Sequence, residues 1–128
     1  MQFMPSISMA LVFLMLGLHF VAEFIFQPPQ GVTFQGNSPR IIVVHSICHA
    51  IPFGVFGAHF MILVCLIHFS IEMAFNTLTS IYWTGGRYKH HRLVVGISQT
   101  LHVVGVFFVY YLIGINYILI ESIQEIFK

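Results

Sequence analysis

LVVGISQTLHVVGVFFVYYLIGINYILI, residues 93 to 120, contains no Asp, Glu, Lys or Arg. A bilayer's hydrocarbon core is about 30 Å thick, and an α-helix rising about 1.5 Å per residue crosses it with roughly 20 apolar residues. This run exceeds that length, and residues 7 to 26 supply a second apolar run, with Glu23 its one charged residue. Composition agrees: of 128 residues, 58% are hydrophobic and 7% charged. A small soluble domain is mostly surface, and this chain cannot cover such a surface with charge. The expected fold class is all-α, an integral membrane four-helix bundle with short loops, in one transmembrane domain over residues 1–128.

Working outward from the long run, the other boundaries follow from breaker residues. PPQGVTFQGNSP after Gln27 cannot continue a helix past Pro28 and Pro29, which places a loop over 28 to 39. Residues 40 to 82 are long enough for two crossings, and the best break between them is GVFGAH, where Gly54 and Gly57 follow Pro52. The expected helices are therefore 7–27, 40–56, 59–82 and 93–120. The first is read as a retained membrane helix, since no basic residue precedes it in the sequence and no small-residue cleavage pattern follows. Cys48 and Cys65 lie in apolar surroundings without a C-x-x-C pattern and read as small core residues.

Arg87, Lys89 and Arg92 in TGGRYKHHR hold three of the five Lys and Arg of the chain. The positive-inside rule then places the 84–92 loop, and with it the 28–39 loop and Arg40, on the cytoplasmic or matrix side of a bacterial or organelle inner membrane. Both termini, with Glu121 and Glu125, fall on the opposite side. Tyr82, Trp83 and Tyr117 suit interfacial anchoring. The basic loop, with His90 and His91, reads as a headgroup-facing segment, and no nucleic-acid partner is expected.

Inside these spans polar residues recur at helical spacing: His19, Glu23 and Gln27 on the first helix, His45 and His49 on the second, His68 and Glu72 on the third, Gln99 and His102 on the fourth. Offsets of three and four put both members of a pair on one helical face. Counted from the cytoplasmic ends, all four pairs are expected in the cytoplasmic half of the membrane, at a common level. A charged side chain near the bilayer centre costs at least about 2.5 to 3.5 kcal/mol, so a shared layer of this kind needs a reason. One such pair reads most simply as a self-satisfied network that fixes helix register; four at one level read as a site. His59 lies apart, at the opposite face, and reads as interfacial. Glycines 96, 105 and 114 recur at nine-residue steps and suit close helix packing along the fourth span.

The order H-x-x-x-E-x-x-x-Q, H-x-x-x-H, H-x-x-x-E, Q-x-x-H over residues 14 to 112 resembles the domain of unknown function 3307 family of small bacterial and phage membrane proteins. Glu23 and Glu72 stand where that family usually has Asp, Ser98 stands where it usually has the Asp before Gln, and Ala74 to Thr79 contains no Lys or Arg. The resemblance implies a multi-helix membrane protein with a polar core, and carries no established reaction.

Neutral imidazole and ionised carboxylate are ligands for a borderline divalent ion, and helix bundles place inward Glu and His on facing helices to hold one. The expected metal ligands are His19, Glu23, His45, His49, His68, Glu72 and His102, with Gln27 and Gln99 orienting the imidazoles. A zinc-like ion with an open position, or a two-metal site, would permit hydrolysis by a metal-bound water with one Glu as base. Two other readings stand beside it. The chain is a non-catalytic subunit of a larger membrane complex, or a haem b-binding anchor with two of His19, His45, His49, His68 and His102 as axial ligands. No C-x-x-C-H is present, which excludes covalent haem. Ion conduction through the layer is weaker still, because polar residues would fill only one half of the membrane.

Overall fold

The computed structural model describes residues 9–25, 38–82 and 91–126. These residues are helical almost throughout: α1 is Met9–Phe24, α2 Pro39–Ala50, then a 3-10 helix Ile51–Phe56, α3 Ala58–Tyr82 and α4 His91–Ile126. By length and composition three segments are apolar enough to cross a membrane: Pro39–Phe56, Ala58–Ile81 and Leu93–Gly114. Met9–Phe24 is apolar but shorter, at 16 residues; residues 7, 8, 26 and 27 of the expected first helix lie outside the described residues.

Two helices differ from the expected bounds for reasons visible in the chain. The segment expected as one helix over 40–56 is α-helical only to Ala50. Pro52 has no N–H to give to the carbonyl four residues back, and its ring crowds that carbonyl, so the chain tightens into 3-10 geometry. This turn ends at Gly57, whose φ of 105° and ψ of 160° lie where essentially only glycine is stable. Gly57 N–H donates to the Gly54 carbonyl at 2.9 Å, and the Gly57 carbonyl accepts from Met61 N–H at 3.1 Å, which starts α3. At the other end, α4 does not stop at residue 120 but continues to Ile126. Its 36 residues span about 54 Å at 1.5 Å per residue, well beyond a hydrocarbon core of roughly 30 Å.

α2 starts cleanly because Pro39 at its first turn has no amide hydrogen to leave unpaired, while the Ser38 carbonyl accepts from Ile41 and Ile42. Each helix packs on its sequence neighbours and α1 closes against α4, so the four form a ring in which the backbones of diagonal helices stay apart among the described residues and only inner side chains meet. α3 and α4 pack closely at Gly105. A Cβ placed on Gly105 would stand 2.7 Å from Ile67 Cγ2, whereas Gly96 is exposed with open space around it. Of these two nine-step glycines, only Gly105 serves close packing.

An apolar cluster of Met15, Ala50, Phe53, Phe60, Val64 and Val109 fills the end of the ring near the Gly57 corner. Moving from His19, His49, His68 and His102 into that cluster, residue numbers fall along α1 and α3 and rise along α2 and α4. Neighbouring helices are therefore antiparallel. The outer surface is strongly apolar, with Phe13, Phe20, Ile62, Leu66, Leu93 and Phe108 all exposed.

Candidate metal centre

Burial in this chain is inverted relative to a soluble protein: as many polar as apolar residues are buried among those described. His19, Glu23, His45, His49, His68 and His102 are all 6% exposed or less. Each comes from a stripe at three- or four-residue spacing, which is why four helices direct them into one space. The imidazoles form a contiguous group. His68 stacks on His49 with ring centroids 3.8 Å apart, and on His102 at 4.0 Å, with planes within 18° and 29° of parallel. His45 lies 4.9 Å from His68, and His19 lies 5.1 Å from His49. The group sits at the centre of α3, with His68 and Glu72 equally far from the two helix ends.

Polar partners divide the group in two. On the α1 side, the Glu23 carboxylate accepts from His49 Nδ1 at 3.1 Å and from Gln99 Nε2 at 2.7 Å, and the Gln99 carbonyl oxygen lies 3.1 Å from His19 Nε2. On the α3–α4 side, Glu72 Oε1 is 3.3 Å from His102 Nε2 without the alignment of a hydrogen bond. His19 Nδ1, His45 Nδ1, His49 Nε2, His68 Nε2 and both nitrogens of His102 are buried with no hydrogen-bond partner among the described residues. A buried polar atom left unpaired costs about 1–3 kcal/mol, so six on five imidazoles is an arrangement that asks for a further partner.

Two triplets bring one ligand atom each to within 4.8 Å of one another: Glu23, His45 and His68, and His68, Glu72 and His102. These donors fit a borderline divalent ion by type, imidazole nitrogen with carboxylate oxygen. The rings of His49, His68 and His102, stacked 3.8 and 4.0 Å apart, leave no slot between them for a porphyrin.

All seven residues read from the sequence as ligands therefore border this group. Gln99 lies within it, Gln27 lies outside the described residues, and His59 is exposed away from it. Sequence reasoning missed three polar residues buried in the same inner space, Ser46, Thr79 and Ser98. Ser46 and Thr79 give their hydroxyls to carbonyls one turn back in their own helices, a habit no spacing rule reveals. Ser98 Oγ is buried and unpaired among the described residues, and its signals were its four-residue spacing from His102 and its place before Gln99. Comparison with family models, with curated proteins and with solved structures gives no match to this chain.

Proposed function

We propose that this chain is a small multi-pass integral membrane protein, a four-helix bundle whose inner His and Glu side chains hold a divalent, zinc-like metal ion. The single observation that carries the reading is His102, neither of whose nitrogens is hydrogen-bonded among the described residues, with Glu72 Oε1 3.3 Å from its Nε2 and His68 Nε2 likewise without a hydrogen bond. Glu23 is already engaged by His49 and Gln99, so His68, Glu72 and His102 are the primary ligands. The order of the polar motifs supports placing the chain beside the domain of unknown function 3307 family.

Membrane insertion is supported by the outward apolar residues and by hydroxyls that turn inward on their own helices: Ser70 to the Leu66 carbonyl at 2.7 Å, Thr77 to Met73 at 2.8 Å and Thr100 to Gly96 at 2.8 Å. Exposed hydroxyls satisfied this way do not call on water, which lipid does not supply. Elemental analysis of the purified protein tests the metal: about one equivalent is expected in the wild type and none in His102→Ala. No stoichiometric metal in the wild type would remove the reading.

What the ion does turns on ligand number. Three protein ligands leave a tetrahedral position for a water nucleophile and permit hydrolysis; four close the site and make the ion structural. The second reading, a non-catalytic subunit of a larger membrane complex, is favoured by the apolar outer faces of all four helices. Other chains co-purifying at a fixed ratio after detergent extraction would support it.

A further inference from the structure

A second set of donors lies beside the ligands proposed above. Glu23, His45 and His68 come from α1, α2 and α3, and all three are buried. One ligand atom of each falls within 4.8 Å of the other two. The rings of His45 and His68 are 4.9 Å apart, and His45 Nδ1, like His68 Nε2, is buried without a hydrogen bond among the described residues. Three atoms that near one another share a point at most about 2.8 Å from each, and bonds from a zinc-like ion to imidazole nitrogen or carboxylate oxygen run about 2.0–2.2 Å, so shifts of under about 1 Å seat an ion there.

The hydrogen bonds of Glu23 leave it able to bind. His49 Nδ1 donates to Oε2 at 3.1 Å and Gln99 Nε2 to Oε1 at 2.7 Å. A carboxylate has about four acceptor positions on its two oxygens, so each oxygen keeps one free. Carboxylates that ligate metals are held by such hydrogen bonds, which fix their orientation. The same bonds draw off part of the charge of Glu23, which makes this the weaker of the two positions.

Charge limits the number of ions. The inner space holds two carboxylates, Glu23 and Glu72, and no Lys or Arg is buried among the described residues. One divalent ion balances both carboxylates while the imidazoles stay neutral. A second ion would leave two positive charges uncompensated among apolar helices, where unpaired charge is costly. The two sets of donors share His68, and Glu23 and His45 do not fall in one group with Glu72 and His102. Resting on the metal reading above, we infer that Glu23, His45 and His68 form a second, weaker position for the same ion, which occupies one position or the other with His68 as the ligand common to both. Exchange between them moves the ion from the α3–α4 seam toward α1 and α2, with a carboxylate and two imidazoles to receive it on either side.

The test uses the full chain in detergent, stripped of metal and titrated with Co2+, whose visible bands report its ligands. Wild type should bind one equivalent and no more. His102→Ala, expected to come through purification without metal, should still bind one added Co2+, with shifted bands and at least about tenfold more weakly than wild type. Adding His45→Ala to His102→Ala should weaken binding by a further factor of about 100 or more, since losing a ligand costs more than the roughly 10- to 100-fold of losing a supporting group. Glu23→Gln in the same background should also weaken it, by at least about tenfold, and decides the matter if the first double variant does not fold. His59→Ala, exposed and away from the group, should change nothing in that background. Co2+ binding to His102→Ala that is absent, or that ignores both second changes, would overturn the inference while leaving the metal reading in place, as would two equivalents in wild type. Wild type that holds no Co2+ at all would overturn both.

Discussion

His102 Nε2 stands 3.3 Å from Glu72 Oε1, one helix facing the next, yet no hydrogen bond joins them and neither His102 nitrogen has another partner among the described residues. Two groups that near, held so by α3 and α4, are placed for a third atom between them. Glu72→Gln keeps the shape and removes the charge that attracts a cation. Metal content measured by elemental analysis should fall at least tenfold in Glu72→Gln, with helicity by circular dichroism unchanged. A variant that keeps its full equivalent of metal would show that Glu72 is no ligand.

Gly105 sets how near α3 and α4 come, and it lies one turn from His102 while Ile67 adjoins His68. The Cβ of Gly105→Ala would stand 2.7 Å from Ile67 Cγ2, and a methyl fixed directly on the Ile Cβ cannot swing aside. The helices must part, at a cost of about 1–3 kcal/mol. Thermal unfolding in detergent should fall by several degrees for Gly105→Ala, while Gly96→Ala, in open space, stays within about 0.5 kcal/mol. Adding Ile67→Ala to Gly105→Ala should restore part of the loss relative to the sum of the single variants. Equal effects at 96 and 105 would contradict the packing.

The four-residue rhythm of His19 and Glu23, His45 and His49, and His68 and Glu72 made the grouping legible before any coordinates, because a repeat near the helical period in an apolar run has few other meanings. What the rhythm does not carry is pairing. That Glu23 meets Gln99 rather than Glu72 depends on which helices are neighbours and how far each slides, and these are decided by Gly105, Pro52 and the aromatic contacts. The shift to 3-10 geometry after Ala50 was likewise hidden: Pro52 announced a disturbance, but the choice between a kink, a stop and a tightened turn rests on packing around Phe53. The extension of α4 to Ile126 was missed because the apolar run ends at Ile120, and helix continuation there needs no apolar side chains.

Phe53 is fully buried, with its ring 5.8 Å from His49 and 6.2 Å from Phe60. In a membrane the unfolded reference is itself apolar, so truncating Phe53 loses packing but little transfer energy. Phe53→Ala should therefore cost about 2 kcal/mol, the cavity part of the 3–5 kcal/mol known for such changes in soluble cores. Unfolding by graded denaturing detergent measures it. A cost below about 0.5 kcal/mol would mean that the space collapses or that Phe53 already faces lipid.

Antiparallel packing brings the end of α1, the start of α2, the end of α3 and the start of α4 to one side and the Gly57 corner to the other. Arg40 lies on the first side, Arg87, Lys89 and Arg92 stand in the sequence where α3 gives way to α4, and translocating such charge is disfavoured. That side is expected in the cytoplasm or matrix, with exposed His59 beside the corner on the opposite face. With Cys48 and Cys65 replaced by Ala, single cysteines at Asn37→Cys, His59→Cys and Gly86→Cys report the orientation. In intact bacterial cells expressing the protein, a membrane-impermeant maleimide should label His59→Cys, and should reach Asn37→Cys and Gly86→Cys only after the cells are opened. Labelling of position 59 and position 86 from the same side would break the antiparallel arrangement, and a full reversal would leave the fold intact but overturn the assignment of sides by charge.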